Sequence, residues 1–501
     1  MNFELLAFVL YFVLVLGIGV FFFLKTRGDN ASEEQYFLGG RQMGPWVTAL
    51  SAQASDMSAW LLMGLPGSIL AFGLGQAWIG IGLAIGTAAN WILVAKRLRK
   101  FSKAAGDAIT LPQYLQNRFL AKKPVLSVIS AVVFLIAFTI YVASGFVAGA
   151  TVFTTLVPSV PQSTAIILFA VVILVYTFLG GFKAVSWTDF FQGMLMLVAL
   201  VSVPIIVLFV ENLDTSVLSQ VYVDANEGTE YAFTANVFSA SWQEIVSGLG
   251  WGLGYFGMPH ILVRFMAIKK PSMIKKSATV AIIWVVISLL ASILIAYFGR
   301  LILAGELLPL GLQKTVFIAM ARRYFPAFIS GILLAAIIAA SMSTADSQLL
   351  VASSSFTNDI YKPLIRKDAS EKELLWVGRG VVALVAVIAF FIASSKGSGA
   401  QAIMDMVENA WGLFGSAFGP VVLLSVFWKR FNYAGAVAGV VAGAAVDLIW
   451  YNLLSATGVY EIVPGFFAGL VCAVIATLVT KAPTAEVEAI FDKATDPEND
   501  E

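Results

Sequence analysis

Asp56 is a carboxylate within an otherwise apolar stretch, SAQASDMSAWLLMGLPG, at positions 51–67. An ionised side chain at membrane depth costs roughly 2.5–3.5 kcal/mol or more, so such residues are mostly retained for an ion, a substrate or a partner. Ser, Gly and Pro66 in the same stretch weaken a continuous helix. The combination predicts an interrupted helix with a binding function.

A second group of polar side chains lies in AASMSTADSQLL, at positions 339–350. Ser343, Asp346 and Ser347 share one helical face by the three- and four-residue rule, and Ser341 and Thr344 add hydroxyls. Neutral oxygens suit a small monovalent cation that must be released again. Isolated hydroxyls in membrane helices often bond to the preceding turn instead, but the Asp among them favours an ion site.

Glycine and aromatic residues are concentrated in SGLGWGLGYFGMPH, at positions 247–260. The glycines indicate either a second interrupted helix at a binding site or close helix packing. Trp251 and Tyr255 are four residues apart, which places them on one face of an α-helix. They would line a cavity or, alternatively, belong to an interfacial aromatic belt.

The elements that carry these residues are membrane spans. Hydrophobic residues form 59% of the 501-residue chain, charged residues form 12%, and the mean hydropathy is +0.88, as in a polytopic membrane protein. The net charge of +1 gives no indication of a nucleic-acid partner. We predict thirteen transmembrane helices, at 4–24, 45–73, 76–95, 125–156, 162–180, 189–210, 243–260, 278–299, 324–350, 376–395, 401–428, 433–454 and 462–480.

The two interrupted segments are the second and the seventh predicted span, and each opens a block of five. Because five is odd, the second block enters the membrane in the opposite sense, as an inverted repeat requires. We predict an N-terminal helix and inside loop (1–44), a first half with an external loop (45–242), a second half (243–428), two additional helices (429–480) and a disordered cytoplasmic tail (481–501). The acidic loop 211–242 is long enough to act as a gate.

The basic residues predict the orientation. With the N-terminus outside and the C-terminus inside, 26 of the 31 Lys and Arg residues fall in inside loops, among them Lys25, Arg27 and the loop 264–276. The five others are Arg300, Lys314, Arg322, Arg323 and Lys396. The first span lacks a basic leader and a cleavage pattern, which favours a retained helix over a signal peptide.

Enzymatic chemistry is disfavoured. A single Cys472 excludes a disulfide framework, and a single His260 disfavours a histidine metal site. The chain contains no recognisable nucleophile–base pair or metal-ligand cluster, so we predict no enzyme activity and no cofactor.

Six blocks spread over most of the chain resemble the sodium/solute symporter family, and its proline-transporting members in particular. They are YFLGGRQMGPWVTALSAQASDMSAWLLMGLPG (36–67), TIYVASGFVAGA (139–150), GGFKAVSWTDFFQ (180–192), GWGLGYFGMPHILVRFMA (250–267), MSTADSQLL (342–350) and WGLFGSAFGPVVL (411–423). The resemblance implies a LeuT-type fold of five-plus-five inverted repeats in the plasma membrane. It also implies uptake of L-proline, or of a similar small solute, driven by sodium.

The resemblance also implies site residues. One sodium would be bound by backbone carbonyls of Ala54, Met57 and Ala340 and by the hydroxyls of Ser343 and Thr344, and Asp56 would be needed for sodium dependence. Asp189, Asp346 and Ser347 would form a second sodium or coupling site. The substrate would contact Ser58, Tyr141, Trp251, Tyr255 and Pro259, with cation–π attraction between the aromatic rings and its ammonium.

Three residues depart from the proline-transporter pattern: Ala59, where glycine is familiar, Met258, where glutamine is familiar, and Asp346, where some members have serine. Other solutes of the family (a sugar, pantothenate or sialic acid) and proton coupling through Asp346 therefore stay open as alternatives. An ion channel is the alternative from a different class.

Overall fold

A computed structural model describes residues 3–26, 32–395 and 400–497. Its helices are α1 Phe3–Thr26, α2 Glu33–Leu38, α3 Pro45–Met57, α4 Gly64–Phe72, α5 Ala77–Ala89, α6 Lys96–Ala104, α7 Leu111–Arg118, α8 Val125–Leu156, α9 Gln162–Val210, α10 Trp242–Gly250, α11 Pro259–Ala267, α12 Ile274–Leu307, α13 Val316–Tyr324, α14 Ala327–Ser355, α15 Glu371–Ser395, α16 Ala400–Phe427, α17 Tyr433–Ile449, α18 Ile462–Val479 and α19 Ala485–Thr495. A short antiparallel hairpin pairs Tyr222–Val223 with Glu230–Tyr231.

Ten stretches of the described chain are long and apolar enough to cross a membrane. Two shorter apolar helices, Ala59–Phe72 and Gln162–Val175, coincide with the predicted second and fifth spans. The predicted seventh span is divided between α10 and α11. The all-α membrane class is therefore confirmed, whereas the number of thirteen spans and the orientation stay predictions. Arg27 and Lys396, which contributed to the predicted orientation, lie outside the described residues.

The first predicted interruption lies between α3 and α4. α3 ends at Met57, and Ser58 has a φ of 46°, which is rare for a residue with a side chain. A 3-10 turn, Ala59–Leu61, follows before α4 begins at Gly64. The carbonyls of the last turn of α3 are thereby released from helical hydrogen bonding.

The second interruption joins α10 to α11 through a 3-10 helix, Trp251–Phe256. α11 begins at Pro259, whose missing N–H is tolerated at the first helical position. The glycines also permit close packing, since a Cβ at Gly252 would lie 2.3 Å from the carbonyl oxygen of Gly82. The interrupted helix is therefore confirmed, and close packing, which was the alternative explanation, occurs alongside it.

α14 forms the centre of the core, and its residues from Leu333 to Ser355 are buried. It packs against α1, α3, α8 and α9. Its hydroxyls and Asp346 therefore lie inside the protein, away from lipid. This position is what a binding role for the 339–350 stretch requires.

One end of the molecule carries the hairpin and is called here the hairpin end. Residues 211–242 are attached to the helices there, since Thr234 N donates to the Phe72 carbonyl at 3.2 Å and Leu74 N donates to the Thr234 carbonyl at 2.7 Å. Glycine is required at Gly73, whose φ is 98° and where a Cβ would lie 2.1 Å from Thr234 N. The gating role of this loop stays a prediction.

The opposite end carries α19, which differs from the predicted disordered tail. Phe491 packs edge-on against Phe101 at 5.2 Å, and Arg118 Nη1 donates to the Val487 carbonyl at 3.1 Å. The apolar residues Val487, Ile490, Phe491 and Ala494 follow a helical period that the acidic composition of the tail obscured. Disorder is therefore wrong for residues 485–495, while residues 498–501 lie outside the described part.

Candidate functional site

The predicted sodium-binding residues meet where α3 ends against α14. Ser343 Oγ donates to the Ala54 carbonyl at 2.8 Å and lies 3.2 Å from the Ala340 carbonyl. Thr344 Oγ1 is buried and has no hydrogen-bond partner among the described residues. Met57 is the last residue of α3, so its carbonyl accepts no hydrogen bond within the helix. These hydroxyls and carbonyls are neutral oxygens, which suit a monovalent cation, and the Thr344 hydroxyl has no other partner among the described residues.

Asp56 connects the two interrupted segments. Its side chain is 3% exposed, and Tyr255 Oη donates to its Oδ2 at 2.6 Å. Tyr141 Oη donates to the Asp56 carbonyl at 3.4 Å, and Asn90 Nδ2 donates to the Tyr255 carbonyl at 2.9 Å. The carboxylate of Asp56 therefore faces Tyr255, while its neighbours Ala54 and Met57 provide the carbonyls of the ion site.

Three of the predicted substrate residues lie around Asp56. The side chains of Tyr141 and Ser58 are hydrogen-bonding neighbours, and Tyr255 contacts the carboxylate directly. Pro259 is on the same interrupted segment, four residues beyond Tyr255, and is buried at the start of α11. Their convergence on one break in α3–α4 is what a substrate site built on interrupted helices requires.

Trp251 has a different environment. It stacks on Trp60, at a centroid distance of 5.4 Å, and contacts the tilted ring of Tyr460, at 5.2 Å. It also lines a cavity of ≈ 330 Å³ at the hairpin end, together with Glu408 and Glu461. Trp251 therefore borders this cavity and also contacts Trp60, in the turn that follows Asp56.

The shared face predicted for Trp251 and Tyr255 is wrong in detail. They lie in a 3-10 helix, which has about three residues per turn, so a four-residue step turns the side chain by about 120°. Both rings instead contact Trp411, at centroid distances of 6.3 and 5.1 Å, and Trp411 Nε1 donates to the Trp251 carbonyl at 2.8 Å. Trp411 was not predicted as a site residue; a lone Trp in the apolar run 411–423 was the only signal.

The predicted second ion site contains Asp189, Asp346 and Ser347, and the structure adds Arg264 to it. Arg264 Nη2 is 2.9 Å from Asp189 Oδ2 and also donates to Ser347 Oγ. Ser347 Oγ donates to Asp346 Oδ1 at 3.2 Å. Ser51 Oγ donates to Asp189 Oδ2 at 2.7 Å. All five side chains are at most 2% exposed.

Arg264 corrects the predicted topology, which placed it in the inside loop 264–276. It lies on α11 and is buried. Sequence alone gave little signal, because its partner Asp189 is 75 residues away. Its positive charge matters because the guanidinium of Arg264 is the counter-charge available to two buried carboxylates, those of Asp189 and Asp346.

Arg264 offsets one of the two negative charges in this network, and a bound cation or a proton could offset the other. Asp189 Oδ1 and Asp346 Oδ2 have no hydrogen-bond partner among the described residues. Buried charges are stable only when paired or neutralised, so one further positive charge is needed if both carboxylates are ionised. Either a sodium ion or a proton would supply this charge.

Comparisons with known proteins place the chain among sodium-coupled transporters in sequence. A model of the sodium:solute symporter family matches residues 36–443. The chain is 43% identical over 501 residues to a sodium/proline symporter of Haemophilus influenzae, covering 98% of this chain and 97% of the relative. It is 42% identical over 492 residues to a sodium/proline symporter of Escherichia coli, covering 97% and 95%.

Solved structures show the same fold. A sodium-coupled sialic acid symporter in a substrate-bound outward-open state aligns with a TM-score of 0.75 at 18% identity, covering 97% of this chain and 99% of the other. MhsT in complex with L-phenylalanine aligns with a TM-score of 0.51 at 14% identity, covering 86% and 97%. At these identities the likeness concerns the fold alone.

Proposed function

Since the chain belongs to the sodium:solute symporter family, we propose that it takes up L-proline together with sodium by alternating access through a LeuT-type fold. The contact that joins Asp56 in one interrupted segment to Tyr255 in the other is the observation that carries this proposal. It links the ion site to the substrate site. Two of the relatives described above are named sodium/proline symporters, which favours proline over another solute.

Sodium is proposed to bind to the carbonyls of Ala54, Met57 and Ala340 and to the hydroxyls of Ser343 and Thr344. The ion would replace the direct bond between Ser343 and Ala54 with shared coordination. Binding would fix the last turn of α3 against α14, and this turn carries Asp56. Sodium thereby organises the substrate site before proline arrives.

Proline is proposed to bind beside Asp56, against Ser58, Tyr141, Tyr255 and Pro259, with Trp251 closing the site towards the hairpin end. Aromatic rings offer apolar contact to the pyrrolidine ring and cation–π attraction to its ammonium. Free backbone N–H groups at the break can bind the carboxylate. No covalent step is involved.

The topology that goes with this function is thirteen spans, with an inverted repeat of 45–242 and 243–428. The hairpin end would then be external and α19 cytoplasmic. Trp251 and the cavity above it would form the external access, and closing of the hairpin end would precede opening of the opposite end.

The sodium gradient suffices for accumulation. One inward charge gains about 2.3 kcal/mol per 100 mV. A tenfold sodium gradient adds about 1.4 kcal/mol. Together, ~3.7 kcal/mol can hold a neutral zwitterion about 500-fold concentrated.

The experiment is uptake of labelled L-proline into proteoliposomes with an inward sodium gradient, a potassium gradient or a proton gradient. We expect uptake only with sodium. Counterflow with labelled sugar, pantothenate and sialic acid tests the other solutes, and single-channel conductance without proline would contradict a symporter.

Proton coupling is a second candidate because Asp346 Oδ2 is buried without a partner. Uptake driven by a proton gradient alone, and lost in Asp346→Asn, would favour it. Sodium-driven uptake that persists in this variant would exclude a required proton at Asp346.

A further inference from the structure

Three carboxylates at the hairpin end have no part in the proposed transport mechanism. Glu408 lies on α16, Asp447 lies near the end of α17, and Glu461 directly precedes α18. Asp447 is 0% exposed and Glu461 is 6% exposed. Glu408 and Glu461 line the cavity of ≈ 330 Å³, so these two carboxylates are reachable from the hairpin end, and Asp447 lies buried behind them.

Asp447 and Glu461 each have an oxygen without a partner. Ser416 Oγ donates to Asp447 Oδ1 at 2.9 Å, whereas Asp447 Oδ2 and Glu461 Oε1 have no hydrogen-bond partner among the described residues. Leaving a buried polar atom unsatisfied costs about 1–3 kcal/mol, and more for a charged group. These two oxygens therefore need a partner that is not one of the described protein atoms.

Gly412 creates a space between these two side chains. A Cβ at this position would lie 3.0 Å from Asp447 Oδ1 and 3.4 Å from Glu461 Oε1. Both carboxylates thus border one point that any other residue would fill. Gly465 has a similar effect on the other side, where a Cβ would lie 2.3 Å from Ser416 Oγ.

The charge of the group requires compensation. Within the described chain, Glu408, Asp447 and Glu461 form no ion pair with Lys or Arg. Neighbouring buried carboxylates repel one another unless a cation or a proton is shared between them.

We propose that Asp447, Glu461 and Ser416 form a further binding site for a small monovalent cation, with sodium as the natural occupant and Glu408 attracting it into the cavity. The site is separate from the one between α3 and α14 and goes beyond the proposed function, because it requires no proline. Its oxygens are hard ligands, as sodium prefers. A tightly bound divalent ion is disfavoured, since no group of three or more His, Cys, Asp or Glu among the described residues is arranged to hold a metal ion.

The test is equilibrium binding of ²²Na⁺ to the purified full-length protein without proline. Ser343→Ala disables the site between α3 and α14, and Asp346→Asn disables the network of Asp189 and Asp346, so the binding that remains in this double variant reports the proposed site. In this background, Asp447→Asn should raise the half-saturating sodium concentration about tenfold, equivalent to ~1.4 kcal/mol. Gly412→Ala should weaken binding in the same direction, because it keeps every charge and fills the space.

The matched control is Asp214→Asn, which removes an exposed carboxylate at the same end of the molecule and should change nothing. Monodisperse elution and sodium-dependent proline binding of Asp447→Asn alone verify folding. The proposal is wrong if the double variant Ser343→Ala with Asp346→Asn binds no sodium, or if adding Asp447→Asn to it leaves its sodium binding unchanged. Displacement of ²²Na⁺ by micromolar calcium would also overturn it, in favour of a divalent site. A failure here leaves sodium-driven proline uptake untouched, and that is measured separately.

Discussion

At the scale of single residues, Asp56 acts through a hydrogen bond. Its carboxylate accepts from Tyr255, and the neighbouring carbonyls of Ala54 and Met57 are the proposed sodium ligands. A hydrogen bond to a charged group contributes about 1.5–3 kcal/mol. Losing it should loosen the last turn of α3 and with it the sodium site.

We therefore expect Asp56→Asn to raise the sodium concentration for half-maximal proline uptake roughly tenfold or more, measured in proteoliposomes. Asn keeps an oxygen that can accept from Tyr255, so Asp56→Asn weakens the bond by removing its charge, whereas Tyr255→Phe removes the bond and should have at least as large an effect. The double variant should be no worse than Tyr255→Phe alone, because both changes act on one interaction. Unchanged sodium dependence in Asp56→Asn would contradict this role.

The sequence predicted these residues unevenly. Ser343, Ala54 and Ala340 meet as predicted, and Asp189, Asp346 and Ser347 share one network. Arg264 and Trp411 were missed because their partners, Asp189 and Trp251, are 75 and 160 residues away in sequence. Spacing rules apply within one helix and carry no information across such distances.

Arg264 offers a second test at this scale. Arg264→Met leaves Asp189 and Asp346 without a counter-charge in the core, and removing one partner of a buried pair costs about 3–5 kcal/mol. We expect a clearly lower unfolding temperature in detergent. Adding Asp189→Asn should restore most of the loss, whereas a double variant as unstable as Arg264→Met would mean that packing, not charge, is responsible.

Lys314 lies outside the membrane spans, and its burial predicts a pH-dependent stability. Burial lowers its pKa from 10.5 to about 8, so the folded protein binds fewer protons than the unfolded chain between pH 8 and 10.5. The burial of Lys314 therefore destabilises the folded protein less as the pH rises through this window. Lys314→Met should raise the unfolding temperature at pH 7, and the gain should shrink towards pH 10. A gain that does not change with pH would show that charge burial is not its cause.

At the scale of elements, the interruptions were predictable and their form was not. Gly and Pro density marked both breaks, but it did not distinguish an irregular turn from the 3-10 helix Trp251–Phe256. α19 was missed because the acidic ending dominated the composition of the tail. Its apolar residues form a face only when α6 and α7 are present to cover it.

Gly254 tests the packing of the second interruption. A Cβ there would lie 2.0 Å from Trp411 Nε1, which donates to the Trp251 carbonyl. Gly254→Ala should therefore lower both the unfolding temperature and proline affinity, and Trp411→Phe in the same chain should relieve part of the clash. Gly380→Ala is the matched control, because nothing lies within 4 Å of its Cβ. Equal behaviour of the two alanine variants would refute this account of Trp411.

At the scale of the whole molecule, the number of spans decides how the ends are arranged. Six of the ten apolar stretches follow residues 211–242: Pro271–Leu310, Ala327–Ile365, Glu371–Ser395, Asp405–Phe427, Tyr433–Thr457 and Ile462–Val479. An even number returns the chain to the side of the hairpin. The hairpin and α19 lie on opposite sides only if the interrupted segment α10–α11 also crosses the membrane.

Cysteine labelling in a Cys472→Ala background decides between these arrangements. Asn226→Cys probes the hairpin and Glu486→Cys probes α19, and both positions are exposed. With an impermeant maleimide on intact cells, we expect labelling at 226 and none at 486 until the cells are permeabilised. Labelling of both sites in intact cells would mean that α10–α11 does not cross, which would remove the inverted repeat and with it the shared pocket between the two interrupted segments. Labelling at 486 alone would keep the pocket and reverse the predicted orientation.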